Sequence, residues 1–130
     1  MDNTKIYIFE HESNTVTFKE GETIFRKGDP ATQAYVVQSG EVAILLNEHH
    51  TEIMESGDLF GEMALISREP RSATAVARTD VKLVPIDEKR FLFMVSETPN
   101  FALTVMRAMA QRLRNENEEK AALKAQISTD

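Results

Sequence analysis

The chain has no cysteine and no tryptophan. Without cysteine there is neither a disulfide framework nor a thiolate metal site, and the composition suits a reducing, cytoplasmic setting. His11, His49 and His50 are the only histidines. No two of them have helical metal-ligand spacing, so no metal site is expected. Long apolar runs are also missing. The longest, such as VAILL and FLFMV, are about five residues, whereas a membrane-spanning helix needs about 20. No membrane insertion is expected. The N-terminal MDNTKIYIFE has no basic region leading into an apolar run, and so no secretory signal. An excess of positive charge is lacking too: 15 Lys and Arg stand against 21 Asp and Glu, for a net charge of −6. A general binder of nucleic-acid phosphates leans basic, so the balance counts against DNA binding by this chain. There is no G-x-S-x-G elbow and no Walker phosphate loop. Nothing in the sequence supplies a nucleophile and its base, so an enzyme is not expected.

Glycine is scarce and unevenly placed. Gly21, Gly28, Gly40, Gly57 and Gly61 are the only five, and none follows Asp87. At 130 residues the length fits one domain, with a glycine-punctuated first part (1–86) and a helical second part (87–127). In the first part, short alternating segments read as strands. They are KIYIFE (5–10), TVTF (15–18), TIFR (23–26), AYVVQ (34–38), EVAILLN (41–47), TEIM (51–54), SATAVAR (72–78) and VKLVPI (81–86). Strands separated by turns at this spacing predict a mainly β fold, an antiparallel jelly-roll sandwich or barrel, followed by C-terminal helices. In the second part, Asp87 caps EKRFLFMVSE, whose Phe91, Met94 and Val95 form an apolar stripe. Thr98 and Pro99 end that helix and open a last one, from Asn100 to about Ala125. Phe101, Val105, Met109 and Leu113 give the last helix its stripe, which resumes weakly at Ala121, Leu123 and Ile127. A helix of about 25 residues is about 38 Å long, more than a small sheet needs. Its end is expected to project and meet a partner, most simply a second copy of the chain.

One stretch carries chemistry: FGEMALISREPRSATA, residues 60–75. The segment EMALI predicts a single helical turn, closed before Pro70. The first amides of such a turn lack partners within it. Those of Gly61, Glu62, Met63 and Ala64 are candidates to receive an anion. Arg71 follows at the head of a strand, and its planar fork suits two phosphate oxygens at once. Ser72 and Ala73 are small and leave room for a ligand. Glu62 cannot hold a phosphate, but it can accept hydrogen bonds from a sugar hydroxyl or hold the arginine. A ligand that offers phosphate and sugar hydroxyl side by side is a nucleotide.

The stretch FGEMALISREPRSATAVA resembles the phosphate-binding cassette of the cyclic nucleotide-binding domain family, whose β-roll is of the cupin-like double-stranded β-helix kind. EGETIFRKGDPATQAYVVQSGEVAILL is similar to the family's first half. LTVMRAMAQRLR resembles the start of the long helix in regulators of the catabolite activator protein type. The resemblance implies that Gly61, Glu62, Met63 and Ala64 line the phosphate and ribose, that Glu62 takes the 2′-hydroxyl, and that Arg71 holds the cyclic phosphate, helped by Ser72 and Ala73. Ile44 and Met54 become candidates for the wall against the base. Where such regulators touch adenine with small hydroxyl residues, this chain has Glu116 and Asn117, and Asn117 is the candidate. A threonine after the arginine goes with cyclic GMP, so Ser72 implies cyclic AMP as ligand, with cyclic GMP as the rival; no further cofactor is implied. No helix-turn-helix follows the long helix in these 130 residues. The expectation is therefore a stand-alone sensor that repositions its C-terminal helices and acts on an effector protein. The alternatives are a non-binding interaction module of the same fold and a regulatory fragment of a larger regulator, channel or kinase.

Overall fold

The computed structural model describes residues 4–128, except for the side chains of residues 119, 120 and 123–128. Eight strands form two antiparallel sheets. In chain order they are β1 (Val16–Phe18), β2 (Thr23–Phe25), β3 (Gln33–Ser39), β4 (Val42–Asn47), β5 (His50–Met54), β6 (Leu59–Phe60), β7 (Thr74–Ala77) and β8 (Val81–Asp87). One sheet runs β1-β8-β3-β6 and the other β2-β7-β4-β5. The architecture is the antiparallel β-roll expected from the spacing of the strands. A short helix, α1 (Met63–Ile66), interrupts the roll, and α2 (Glu88–Glu97) and α3 (Pro99–Ser128) follow it.

Side-chain alternation decides the layers. Tyr35 and Val37 of β3, with Val81 and Leu83 of β8, face Val42, Ile44, Ala75 and Ala77 of the other sheet. Ala34 and Val36, with Val84 and Ile86, point the other way and pack under Phe101 and Val105 of α3. Strand β3 is thus buried on both faces, which explains its unbroken apolar run. Gly40 makes the tight turn between β3 and β4. Its φ is +87°, and a Cβ there would meet the Asp80 carbonyl oxygen at 2.2 Å, so only glycine fits.

Two segments depart from the expectation. Residues 5–10 form an irregular segment that ends in a turn, rather than a strand. Their buried residues are Ile6 and Phe9, three apart, while Tyr7 and Ile8 are exposed. That spacing belongs to a turn, closed here by Glu10 N–H donating to the Tyr7 carbonyl at 3.1 Å. Conversely, Leu59 and Phe60 form a two-residue strand opposite Val36 and Tyr35, too short for any alternation to reveal.

Helix α2 starts where expected, with the Asp87 carboxylate accepting from Arg90 N–H at 2.8 Å. Phe91, Met94 and Val95 pack on the outer cluster with Phe101. Helix α3 begins at Pro99 and is about 45 Å long at 1.5 Å per residue. Phe101 and Val105 anchor its first turns at 4% exposure each. Burial of that kind stabilises by about 1.5–3 kcal/mol per side chain. Leu103, Met106 and Leu113 remain exposed on α3. Of the weak distal stripe, Ala121 is exposed, and the side chains of Leu123 and Ile127 lie outside the described residues.

Candidate functional site: a cavity between the cassette and the last helix

A cavity of about 390 Å³ opens between the β-roll and α3. Every cassette position singled out from the sequence lines it: Gly61, Glu62, Met63, Ala64, Arg71, Ser72 and Ala73. Ile44 and Met54 line it as well, while also belonging to the inter-sheet core.

Arg71 is placed by main-chain bonds before its side chain does anything. Its N–H donates to the Asp29 carbonyl at 2.9 Å, and its own carbonyl accepts from Gly28 N–H at 2.8 Å. The turn between β2 and β3 therefore fixes the arginine in the stretch that leads into β7. The residue is only 8% exposed. One terminal nitrogen of its guanidinium donates to the Gln33 carbonyl at 2.7 Å and the other to the Gly61 carbonyl at 3.3 Å. Its carbon sits 4.0 Å above the centre of the Phe25 ring, a favourable place for a cation. Nε is buried with no partner. Burial is the largest influence on this group and pulls its pKa down from the usual arginine value, with the charges of Tyr35 and Asp29 opposing. Arg71 is thus a buried cation held by neutral carbonyls and a ring, without a carboxylate in hydrogen-bond contact. Such a group is costly unless an anion joins it.

Gly61 is shaped by this arginine. Its φ is +74°, and a Cβ would lie 2.6 Å from Arg71 Nη1. Helix α1 then turns through Met63–Ile66 with Glu62 as its N-cap. Ala64 N–H already donates to the Gly61 carbonyl at 3.2 Å, whereas the amides of Gly61, Glu62 and Met63 have no backbone acceptor among the described residues. The set of open donors is one smaller than the sequence suggested.

Glu62 is 7% exposed, and its partner is a residue that the sequence reading missed. Arg112 of α3 donates through Nη1 to the Glu62 carboxylate. The same guanidinium donates through Nη2 to the Leu59 carbonyl at 2.7 Å, and its Nε lies 3.8 Å from Glu52. The last helix is therefore tied to the acid that the resemblance assigns to the ribose.

A helix turns about 100° per residue. Steps of four drift by about 40° each, so the stripe of Phe101, Val105 and Met109 leads on to 112 and 116 as well as it leads to 113. Leu113 still lines the cavity but is 58% exposed. Glu116 also lines the cavity, while Asn117, the candidate for the base, is exposed and does not line it. Following the phase rather than the four-residue count would have found Arg112.

Comparison with known proteins identifies the family and the fold. The family model described as "Cyclic nucleotide-binding domain" matches residues 15–98. A CRP-like cAMP-activated global transcriptional regulator of Mycobacterium tuberculosis is 31% identical over 113 residues, which are 83% of this chain and 50% of that protein. Among solved structures, the catabolite activator protein of Thermus thermophilus superposes with a TM-score of 0.72 at 30% identity, over 85% of this chain and 54% of the other. The c-di-GMP-responsive regulator CLP of Xanthomonas campestris gives 0.76 at 25% identity, over 89% and 61%. This chain spans about half the length of that curated regulator. The chain belongs to the cyclic nucleotide-binding domain family.

Proposed function

We propose that this protein is a receptor, not an enzyme, for a cyclic purine mononucleotide in the cytoplasm. The observation that carries the reading is Arg71, a buried cation with an open N–H at the wall of a cavity. A cyclic phosphate supplies the missing anion and accepts from Nε. The open amides at Gly61, Glu62 and Met63 supply further donors. Glu62 accepts from the ribose hydroxyl, and the apolar wall at Ile44 and Met54 receives the base. Of the two common purine ligands, Ser72 favours cyclic AMP by resemblance, with cyclic GMP as the rival.

Signal transfer follows from Arg112. A ribose hydroxyl that engages Glu62 touches the group that holds α3, so ligand binding and helix position are linked through one carboxylate. This is a population shift driven by differential contacts. Helix α3 also offers Leu103, Met106, Ala110 and Leu113, all exposed and spaced three, four and three apart. That second stripe supports pairing with another copy through α3, or docking on an effector.

A thermal-melt titration tests the reading. Ligand at 100 times Kd adds about 2.7 kcal/mol, a rise of several degrees for a domain of this size. A cyclic nucleotide is expected to give that rise and linear AMP a smaller one. Equal shifts would contradict the reading. A dimer in sedimentation that gains nothing from any nucleotide would favour the interaction-module alternative.

A further inference from the structure

The ion pairs behind the cavity hold an unequal count of charge. Alternation along β5 turns His50, Glu52 and Met54 to one face. Glu52 and Met54 line the cavity, and His50 and Glu52 line a groove against Asn115, Glu118 and Ala122 of α3. Glu52 Oε1 lies 3.7 Å from His50 Nε2, and Glu52 Oε2 lies 3.8 Å from Arg112 Nε. Arg112 donates in turn to the Glu62 carboxylate. None of these four side chains is more than 22% exposed. Facing His50 are Glu52 on its own strand with Arg112 behind it, Glu118 across the groove, and the uncharged Asn47 opposite it on β4. With His50 neutral, one guanidinium serves both Glu52 and Glu62. With His50 protonated, Glu52 has a cation of its own.

Resting on the cyclic-nucleotide reading above, we propose that His50 is a positioning residue whose protonation tightens nucleotide binding, so that the receptor reads pH together with its ligand. An imidazole changes charge between pH 5 and 8. Protonated, His50 holds Glu52 and leaves Arg112 to Glu62 and the Leu59 carbonyl, the bonds that tie α3 over the cavity. It also draws Glu118, which α3 itself carries, towards β5. Finally, it adds positive charge behind a cavity in which four carboxylates, of Glu52, Glu62, Glu69 and Glu116, outnumber the guanidiniums of Arg71 and Arg112. That charge favours an anionic ligand. All three effects act in one direction. By linkage, a bound phosphate favours the proton on His50 as much as the proton favours the nucleotide. Affinity therefore rises as the imidazole gains its proton and falls as pH climbs through its titration. The row is partly solvated, so the change is a few-fold and not larger.

Titration calorimetry of the full chain with cyclic AMP and with cyclic GMP, at about pH 6 and about pH 8, tests this. Wild type is expected to bind about threefold tighter at the lower pH. It is also expected to take up protons on binding, seen as a heat that varies with the ionisation heat of the buffer. His50→Asn is expected to lose both the ratio and the proton uptake. His50→Lys, charged at either pH, is expected to hold the tighter affinity throughout. His49→Asn, at the exposed neighbour, is expected to keep the wild-type profile. A wild-type affinity that stays level or falls towards acid, or a ratio that persists in His50→Asn, would overturn the inference and leave the receptor reading standing. No heat with either nucleotide at either pH would overturn the receptor reading itself, and this inference with it.

Discussion

The two ends of the cavity are built in opposite ways. At the cassette end, residues 61–73 are contiguous, and the main chain does much of the placing. The turn at Gly28 and Asp29 clamps Arg71, Gly61 yields to its guanidinium, and α1 aims the amides. At the helix end, the lining comes from single side chains on α3, some 50 residues from Glu62 along the chain, and their direction depends on helical phase alone. Contiguous sites built on backbone geometry keep a recognisable order of residue types. Sites built on one face of a helix keep only a phase, and there side chains are free to set specificity.

The sharpest way to break this comparison is at Arg71. Arg71→Lys keeps the charge but loses the fork, and is expected to weaken cyclic nucleotide binding by roughly 2–5 kcal/mol. Calorimetry reads this directly, and unchanged affinity would remove Arg71 from the phosphate. Arg112→Met tests whether the two ends communicate. It leaves the Glu62 carboxylate buried without its donor and is expected to cost about 1–3 kcal/mol of stability. Amide exchange along residues 105–116 should rise in the variant. If exchange and melting temperature both stay as in wild type, the helix is not held through Glu62. Gly61→Ala probes the cassette backbone by itself. The strain of φ +74° is expected to lower stability by about 1–2 kcal/mol, read as a fall in melting temperature, with the α3 contacts intact. A variant as stable as wild type would show that residue 61 can leave the φ +74° conformation without cost.

What was legible in the sequence follows the same division. The strands with alternating faces, the Asp87 cap and the order of residue types in FGEMALISREPRSATA all express local rules. Residues 5–10 misled because Ile6 and Tyr7-Ile8 imitate alternation, while burial falls on Ile6 and Phe9. Phe25 beneath the guanidinium and the Gln33 carbonyl were not legible, because both reach the site through tertiary packing from a distant segment. Arg112 was legible only through the helical phase, which the four-residue count passed over. Asn117 was singled out by chemical type, and its helical phase carries it away from the cavity while Glu116 stays at the wall.

The most direct measurement is a crystal structure of the protein soaked with a 3′,5′-cyclic purine nucleotide. The account predicts a phosphate oxygen within hydrogen-bond distance of Arg71 Nε, and the ribose hydroxyl on Glu62. An empty cavity at saturating nucleotide, or a phosphate bound elsewhere while Arg71 keeps only the Gln33 and Gly61 carbonyls, would contradict it.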